Sequence, residues 1–242
     1  MFKTVFAVLG DSIRSTGKAL DRLGCSIQGN YAYIEKLNRH SRVMPFRGNI
    51  AHLGREAFIA PNSSVIGSVR IGHQSSVWYN TVLRGDTNAI IIGTNSIISD
   101  RTVINATRDK QTTIGTNVYV GPGAILNGCS IDSNVVIGTG SIVLEGVRIE
   151  SGASLEAGSI VPANTVVPQN QVWGGSPARF IRPATQEDVA NRELLLDDHS
   201  TLAQEHEVQN LKSAKELHTD TLDVYANRRE RPENVIHNAP AH

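Results

Sequence analysis

The chain has little of what most enzyme centres and most compact cores are made from. It has two cysteines in 242 residues, Cys25 and Cys129. That excludes a disulfide framework and a cysteine-based metal site, and it fits a reducing compartment. Aromatic residues make up only 5% and apolar residues 40% of the chain. A core built around large rings is therefore excluded, whereas a stacked fold of repeated aliphatic residues needs no rings. No apolar run approaches the roughly 20 residues of a membrane span. The start lacks the continuous apolar stretch and small-residue cleavage site of a secretory signal. Its first acid is Asp11, which leaves a mitochondrial targeting reading open. Histidine is absent between His73 and His199. Net charge is zero but uneven: +5 over residues 1–48, +1 over 49–183 and −6 over 184–242. A basic head of this kind suits anionic lipid or an acidic partner, although two solvated ends account for the charges equally well. No nucleic-acid partner is expected.

What the sequence does have is a period of six. From Ile59, steps of six reach Val65, Ile71, Val77 and Leu83. The phase breaks at Gly85-Asp86-Thr87 and resumes at Ile92, Ile98 and Ile104. It breaks again between Thr107 and Thr113, then resumes at Ile114, Val120 and Leu126. One step of five leads to Ile131, followed by Ile137, Val143, Ile149, Leu155, Val161 and Val167. Glycine often follows the aliphatic residue, as at Gly72, Gly93, Gly115, Gly121 and Gly138. Small residues such as Ser64, Ser76, Ala124, Ser141, Ala153 and Ser159 recur ahead of the next one. A six-residue unit of this kind makes one short strand and one sharp corner, and three units close a triangular coil. A sandwich of alternating strands would instead show period two. The expectation is an all-β solenoid, a parallel β-helix of hexapeptide repeats over 51–183.

The flanks read as helical. Phe2, Val5, Phe6 and Leu9 have i, i+3, i+4, i+7 spacing, which predicts an amphipathic helix in residues 1–27, within an N-terminal extension of 1–50. It has a membrane, a partner or its own body as candidate surfaces. After Pro183, Thr185 and Asp188 form a capping-box pattern. Val189, Leu194, Leu195, Leu196, Leu202, Ala203 and Leu211 then supply a stripe for a C-terminal helix over 184–216, expected to pack along one flat. Residues 217–242 read as an extended, partner-dependent tail.

Three segments, WYNTVLRGD (78–86), VYVGPGAILNGC (118–129) and VWGGSPARFIR (172–182), resemble the γ-class carbonic anhydrases. The head IRSTGKALDRLGCSIQG (13–29) is similar to the N-terminal extension of the γ-carbonic anhydrase subunits of mitochondrial respiratory complex I. The resemblance implies a left-handed helix and a trimer with zinc at each subunit interface, held by three histidines. The first and third come from one subunit and the second from its neighbour. Laid onto this chain, those positions are Asn105, Pro122 and Asn127. Proline offers no side-chain donor and a neutral amide oxygen is a poor zinc ligand, so no metal or other cofactor is expected. Without zinc nothing here brings a water pKa down to about 7 for attack on carbon dioxide. Arg84, Asp86 and Asp100 match residues near the family's active site, and Ser99 stands where members usually carry glutamine. Arg84 and Asp86 are expected to pair across the trimer interface.

The resemblance therefore implies a catalytically inactive, structural subunit of a homo- or heterotrimer. It would lie peripherally on the matrix side of the mitochondrial inner membrane. Its partners would be other γ-carbonic-anhydrase-type subunits, complex I membrane-arm subunits, and lipid at the N-terminal helix. One alternative is an active carbonic anhydrase that uses partner-subunit sites, or unusual ligands drawn from His52, His73 and His199. Another is a hexapeptide-repeat acyltransferase, which would need a coil histidine as general base, and His73 is the only one. The expected alternative role of Asn105 and Asn127 is that of corner or stacking asparagines. His199 is expected on an exposed helix face, and Cys129 as a small buried filler.

Overall fold

The computed structural model describes residues 2–29, 40–212 and 216. These form two separate units, Met1–His40 and Ser41–His242. The first is a single helix, α1 (Phe2–Gln28), with no proline to break it. It ends where Gly29 takes φ +67°, the left-handed C-terminal conformation that costs glycine nothing. Ile13, Leu20, Leu23 and Ile27 are each more than half exposed, at 64, 64, 56 and 78%. Their spacing of seven, three and four puts them on one stripe. The side chains of Phe2, Val5, Phe6 and Leu9 lie outside the described residues.

The second unit is a parallel β-helix of about seven coils. All eighteen stepped aliphatic residues point inward, and the most exposed, Ile59, shows 7% of its surface. Each sits on its equivalents one coil away: Val77 pairs with Ile98, Ile98 with Val120 and Val120 with Ile137. The strands form three flats. The first contains Phe58–Ile59, Ser76–Val77, Ile97–Ile98, Tyr119–Val120, Val136–Ile137, Ser154–Leu155 and Gln171–Gly174. The second contains Val103–Asn105, Ile125–Asn127, Ile142–Val143 and Ile160–Val161. The third contains Thr112–Ile114, Ser130–Ile131, Arg148–Ile149 and Val166–Val167. Two long strands, Ser64–Ile71 and Val82–Ile92, run from the second flat into the third. The phase break at Gly85-Asp86-Thr87 is taken up inside that bent strand, where the register shifts between Gly67 and Val69.

Several expectations need correcting. The solenoid begins before residue 51, because Val43 and Met44 pair with Val65 and Ile66, and His52 and Leu53 pair with Arg70 and Ile71. Residues 41–50, assigned above to the N-terminal extension, thus belong to the first coil. The irregular step from Val43 to Leu53, which contains the Phe46–Asn49 turn, hides this coil from a six-residue count. The inward small residue stands two places before the aliphatic one, as Ala124, Ser141, Ala153 and Ser159 do, whereas Ser64 and Ser76 do not belong to that column. Ser63, Ser75, Ser96, Ala124, Ser141, Ala153 and Ser159 are all buried there, because alternate residues of a strand share a face. Ser64 and Ser76, one place later, point away from the core. Left-handed positions are taken by Asn80, Asn95, Asn117, Asn134, Asn164 and Asn170, along with residues such as Gln74, Arg101, Gly140 and Gly158, and not by Asn105 or Asn127. The glycine column is set by close approach. A Cβ at Gly115 would lie 2.6 Å from Ser133 N, and one at Gly54 2.5 Å from Gly72 C.

The chain leaves the coils through an antiparallel hairpin of Gln171–Gly174 and Arg179–Pro183, with Ala178 buried beneath it. Helix α2 (Gln186–Leu211) then starts on the predicted capping box, with Thr185 N donating to Asp188 Oδ2 at 2.7 Å. Arg182 grips the same carboxylate in a fork, at 2.6 and 2.9 Å. α2 lies on the first flat, where Leu196 and Ala203 meet Phe58, Ala60, Trp78 and Ile97. The expected stripe is only partly used: Leu194, Leu202 and Leu211 are 61, 42 and 77% exposed. The proposed tail, 217–242, lies outside the described residues.

Two measurements check this architecture. Ile137→Asp, which puts an unpaired charge in the core, is expected to lower stability by several kcal/mol, while Thr139→Asp at an exposed corner changes it by less than about 0.5 kcal/mol. Equal melting temperatures for the two variants would refute the register. The Arg182 fork and the cap hold the Asp188 carboxyl well below the usual carboxylate range. A depressed folded-state pKa stabilises above the unfolded value of about 3.9, and that stabilisation fades as pH falls below it. The melting-temperature gap between the native chain and Asp188→Asn, worth about 1 kcal/mol at pH 7, should therefore close at low pH; a pH-independent gap contradicts the assignment.

Candidate functional site

The outer surface of the second flat carries two columns. The residue before each inward aliphatic is itself aliphatic over five coils: Val82, Val103, Ile125, Ile142 and Ile160 are register partners in turn. The residue after it gives a polar column, in which Arg84 stands beside Asn105 and Asn105 beside Asn127. The polar column is thus set against an apolar wall. Asn105 Nδ2 donates to Asn127 Oδ1 at 3.0 Å, while Asn105 Oδ1 is buried and accepts no hydrogen bond among the described residues.

The structure brings some of the predicted residues together and separates others. Arg84 Nη2 bonds Asp86 Oδ2 within the same chain at 2.8 Å, and this holds the Asp86 carboxyl below its usual range. The two side chains are thus already paired within one chain. Asp100 lies at the corner between the first and second flats, where its Oδ1 accepts the Tyr79 N–H at 3.0 Å. Pro122 is at the same corner one coil later; Gly123 N bonds Asp100 O at 2.8 Å and Gly140 N bonds Pro122 O at 2.8 Å. Asn105 and Asn127 thus share a face and Pro122 stands apart at its edge. Ser99 is buried with its hydroxyl unpartnered among the described residues.

Against this geometry the relatives can be read. An uncharacterised protein of Dictyostelium discoideum is 44% identical over 98% of both chains. Gamma carbonic anhydrase 1, mitochondrial, of Arabidopsis thaliana is 41% identical over 86% of this chain and 78% of its own length. The chain belongs to the γ-carbonic anhydrase family. The mitochondrial gamma carbonic anhydrase 3 of the same plant agrees, with 42% identity over 87% of this chain and 84% of its own. Among solved structures, a hexapeptide transferase family protein of Anaplasma phagocytophilum superposes with TM-score 0.64 at 35% identity, covering 67% of this chain and 96% of its own. No family model matches the chain.

Within this family, the chain has a donor set that does not fit zinc. Asn127 has its amide oxygen committed to Asn105, Pro122 has no donor, and no group of three or more His, Cys, Asp or Glu able to hold a metal occurs among the described residues. The histidines outside that site do not converge on it. His73 Nδ1 accepts the Arg55 N–H at 2.9 Å, and His52 lies on the third-flat side beside Arg70. His199 is not an exposed helix residue: it is half-buried, its ring edge-on to Tyr119 at 5.1 Å and Trp78 at 5.7 Å. Cys129 occupies an inward small position, and burial pushes its thiol up to about 12, so it acts as filler.

Two features escaped the sequence reading. The Val82–Ile160 column is visible as a second aliphatic residue in every third unit. His206, whose Nδ1 lies 2.9 Å from Tyr79 Oη and whose ring packs on Trp78 at 5.2 Å, gave no local signal. The zinc misfit is open to a direct check. Asn105→His, Pro122→His and Asn127→His together should restore stoichiometric zinc binding if these are the vacated ligand positions; a folded triple variant that takes up no zinc by metal analysis would show the alignment to be wrong.

Proposed function

We propose that this γ-carbonic-anhydrase-like chain is a catalytically inactive structural subunit. In this reading it assembles with other chains of its family into a trimer on the matrix side of mitochondrial complex I. The observation that carries it is the Asn105–Asn127 amide pair. The corner asparagines Asn95, Asn117 and Asn134 stack in the same way, side chain to side chain, at 2.9 and 3.3 Å. Stacked amides are what a solenoid uses for cohesion, so the vacated ligand column has become part of the scaffold.

The trimer reading draws support from the aliphatic wall of the second flat. Five stacked aliphatic residues on an outer sheet face form the sort of apolar patch that marks an interaction surface. The mitochondrial placement draws support from the names of the Arabidopsis relatives. No helix among the described residues is long and apolar enough to cross a membrane, so attachment falls to surfaces such as the α1 stripe. Each apolar side chain buried there contributes about 1.5–3 kcal/mol before ordering costs.

The test is native gel electrophoresis of mitochondria expressing tagged protein, with carbon dioxide hydration measured on the purified chain. The full chain should migrate with complex I and give no metal-dependent hydration above background. The core cluster of the solenoid runs from Ala51 to Ala178, with Val43 packed against it. Deleting residues 1–27 should therefore leave a folded assembly that no longer migrates there. Zinc-dependent hydration lost on Asn127→Ala would overturn inactivity, and full-length protein never found with complex I would overturn the structural role.

A further inference from the structure

The two ends of the solenoid differ. At the far end the Arg179–Pro183 strand pairs antiparallel along the edge of the first flat. At the near end, the outer edges of Val43–Met44, His52–Leu53 and Phe58–Ile59 have no strand beyond them among the described residues. One open carbonyl there is met by a side chain, Arg42 Nη1 donating to Ile59 O at 3.1 Å. Around this edge the first coil exposes Met44, Ile50 and Leu53, at 43, 59 and 47%. A shallow groove of about 430 Å³ continues the apolar area past Leu53 to Leu211.

The charges around that patch have one sign. Residues 40–55 hold Arg42, Arg47 and Arg55 and no acid. Arg47 rides over the Phe46 ring at 5.2 Å, at the tip of the turn. Arg70, exposed, is the register partner of His52. The nearby acids are Glu56, which accepts from Gln74 Nε2 at 3.1 Å, and Glu207 on the groove wall.

We infer that this open first coil is a membrane-facing surface that seats on an anionic phospholipid bilayer. Met44, Ile50 and Leu53 enter the interface, and Arg47, Arg55 and Arg70 engage phosphate. The apolar residues come from a strand edge and a turn, not from a shaped slot, so they suit a fluid apolar slab better than a complementary helix. Guanidinium groups around them match headgroup phosphates in geometry and sign. This is a surface distinct from α1. It rests on the peripheral membrane placement proposed above but not on the trimer or on the loss of zinc.

The experiment uses the full chain in a Cys25→Ser background. The buried Cys129 is left in place, and Ile50→Cys carries an environment-sensitive fluorophore. The probes are phosphatidylcholine vesicles with and without cardiolipin. The expected result is a blue shift at position 50 with cardiolipin vesicles only. Arg47→Glu, Arg55→Glu and Arg70→Glu together should then lower vesicle partitioning on the order of 100-fold, with circular dichroism unchanged. Vesicle binding with no shift at position 50 would place the contact elsewhere, on α1 for example, and overturn the inference. So would a label already buried without vesicles, or one buried only by an acidic protein. Failure here alongside intact migration with complex I would leave the structural-subunit reading standing.

Discussion

Everything in this structure depends on the fixed distance between coils. Backbone N–H groups donate to the carbonyls of the next coil all along the axis, as from Gly54 to Ile71, Gly72 to Ile92, Gly93 to Ile114 and Gly115 to Ile131. That ladder holds successive coils one strand spacing apart, about 4.8 Å. At such a separation each residue's nearest neighbours are its own equivalents. Like therefore stacks on like: aliphatic on aliphatic inside, glycine on glycine at the tight corner, and asparagine amide on asparagine amide at the left-handed corners.

The same constraint explains the candidate site. Asn105 and Asn127 are equivalents on adjacent coils, so their side chains are placed in reach of each other and bond. Two histidines in those positions would be held as neighbours just as firmly, which is why such a column can serve as half of a metal site. The scaffold fixes the column and the residue type decides what it does. Here the amides satisfy one another in part, and the Asn105 oxygen is left buried without a donor from the described residues. Arg84, next in the column, turns aside to Asp86.

Surface character is divided among the three flats. α2 and its ring contacts cover the first, aliphatic residues line the second, and the third mixes Arg70, Thr113, Ser130 and Arg148 with Ile91 and Val166. α2 is held by few buried residues, Leu196 and Ala203, with His199 and His206 filling the seam against Trp78, Tyr79 and Tyr119. Its anchorage at the start is stronger, through the capping box and the Arg182 fork on Asp188.

The period of six by itself determined the solenoid, its inward residues and its corners, because a repeat whose coils must stack leaves every position with one environment. The capping box was legible for the same local reason: Thr185 and Asp188 interact within one turn. The residue types at 105, 122 and 127, two amides and a proline, are legible as poor zinc donors without any structure. What the sequence could not give was anything that depends on contact between distant segments. The first coil was hidden because Val43 and Leu53 break the spacing and are recognised only by pairing with Val65 and Ile71. The Arg84–Asp86 closure and the packing of His199 and His206 of α2 against the first flat are side-chain choices made by packing. The aliphatic column from Val82 to Ile160 becomes a surface only when coils 17 to 22 residues apart are laid side by side.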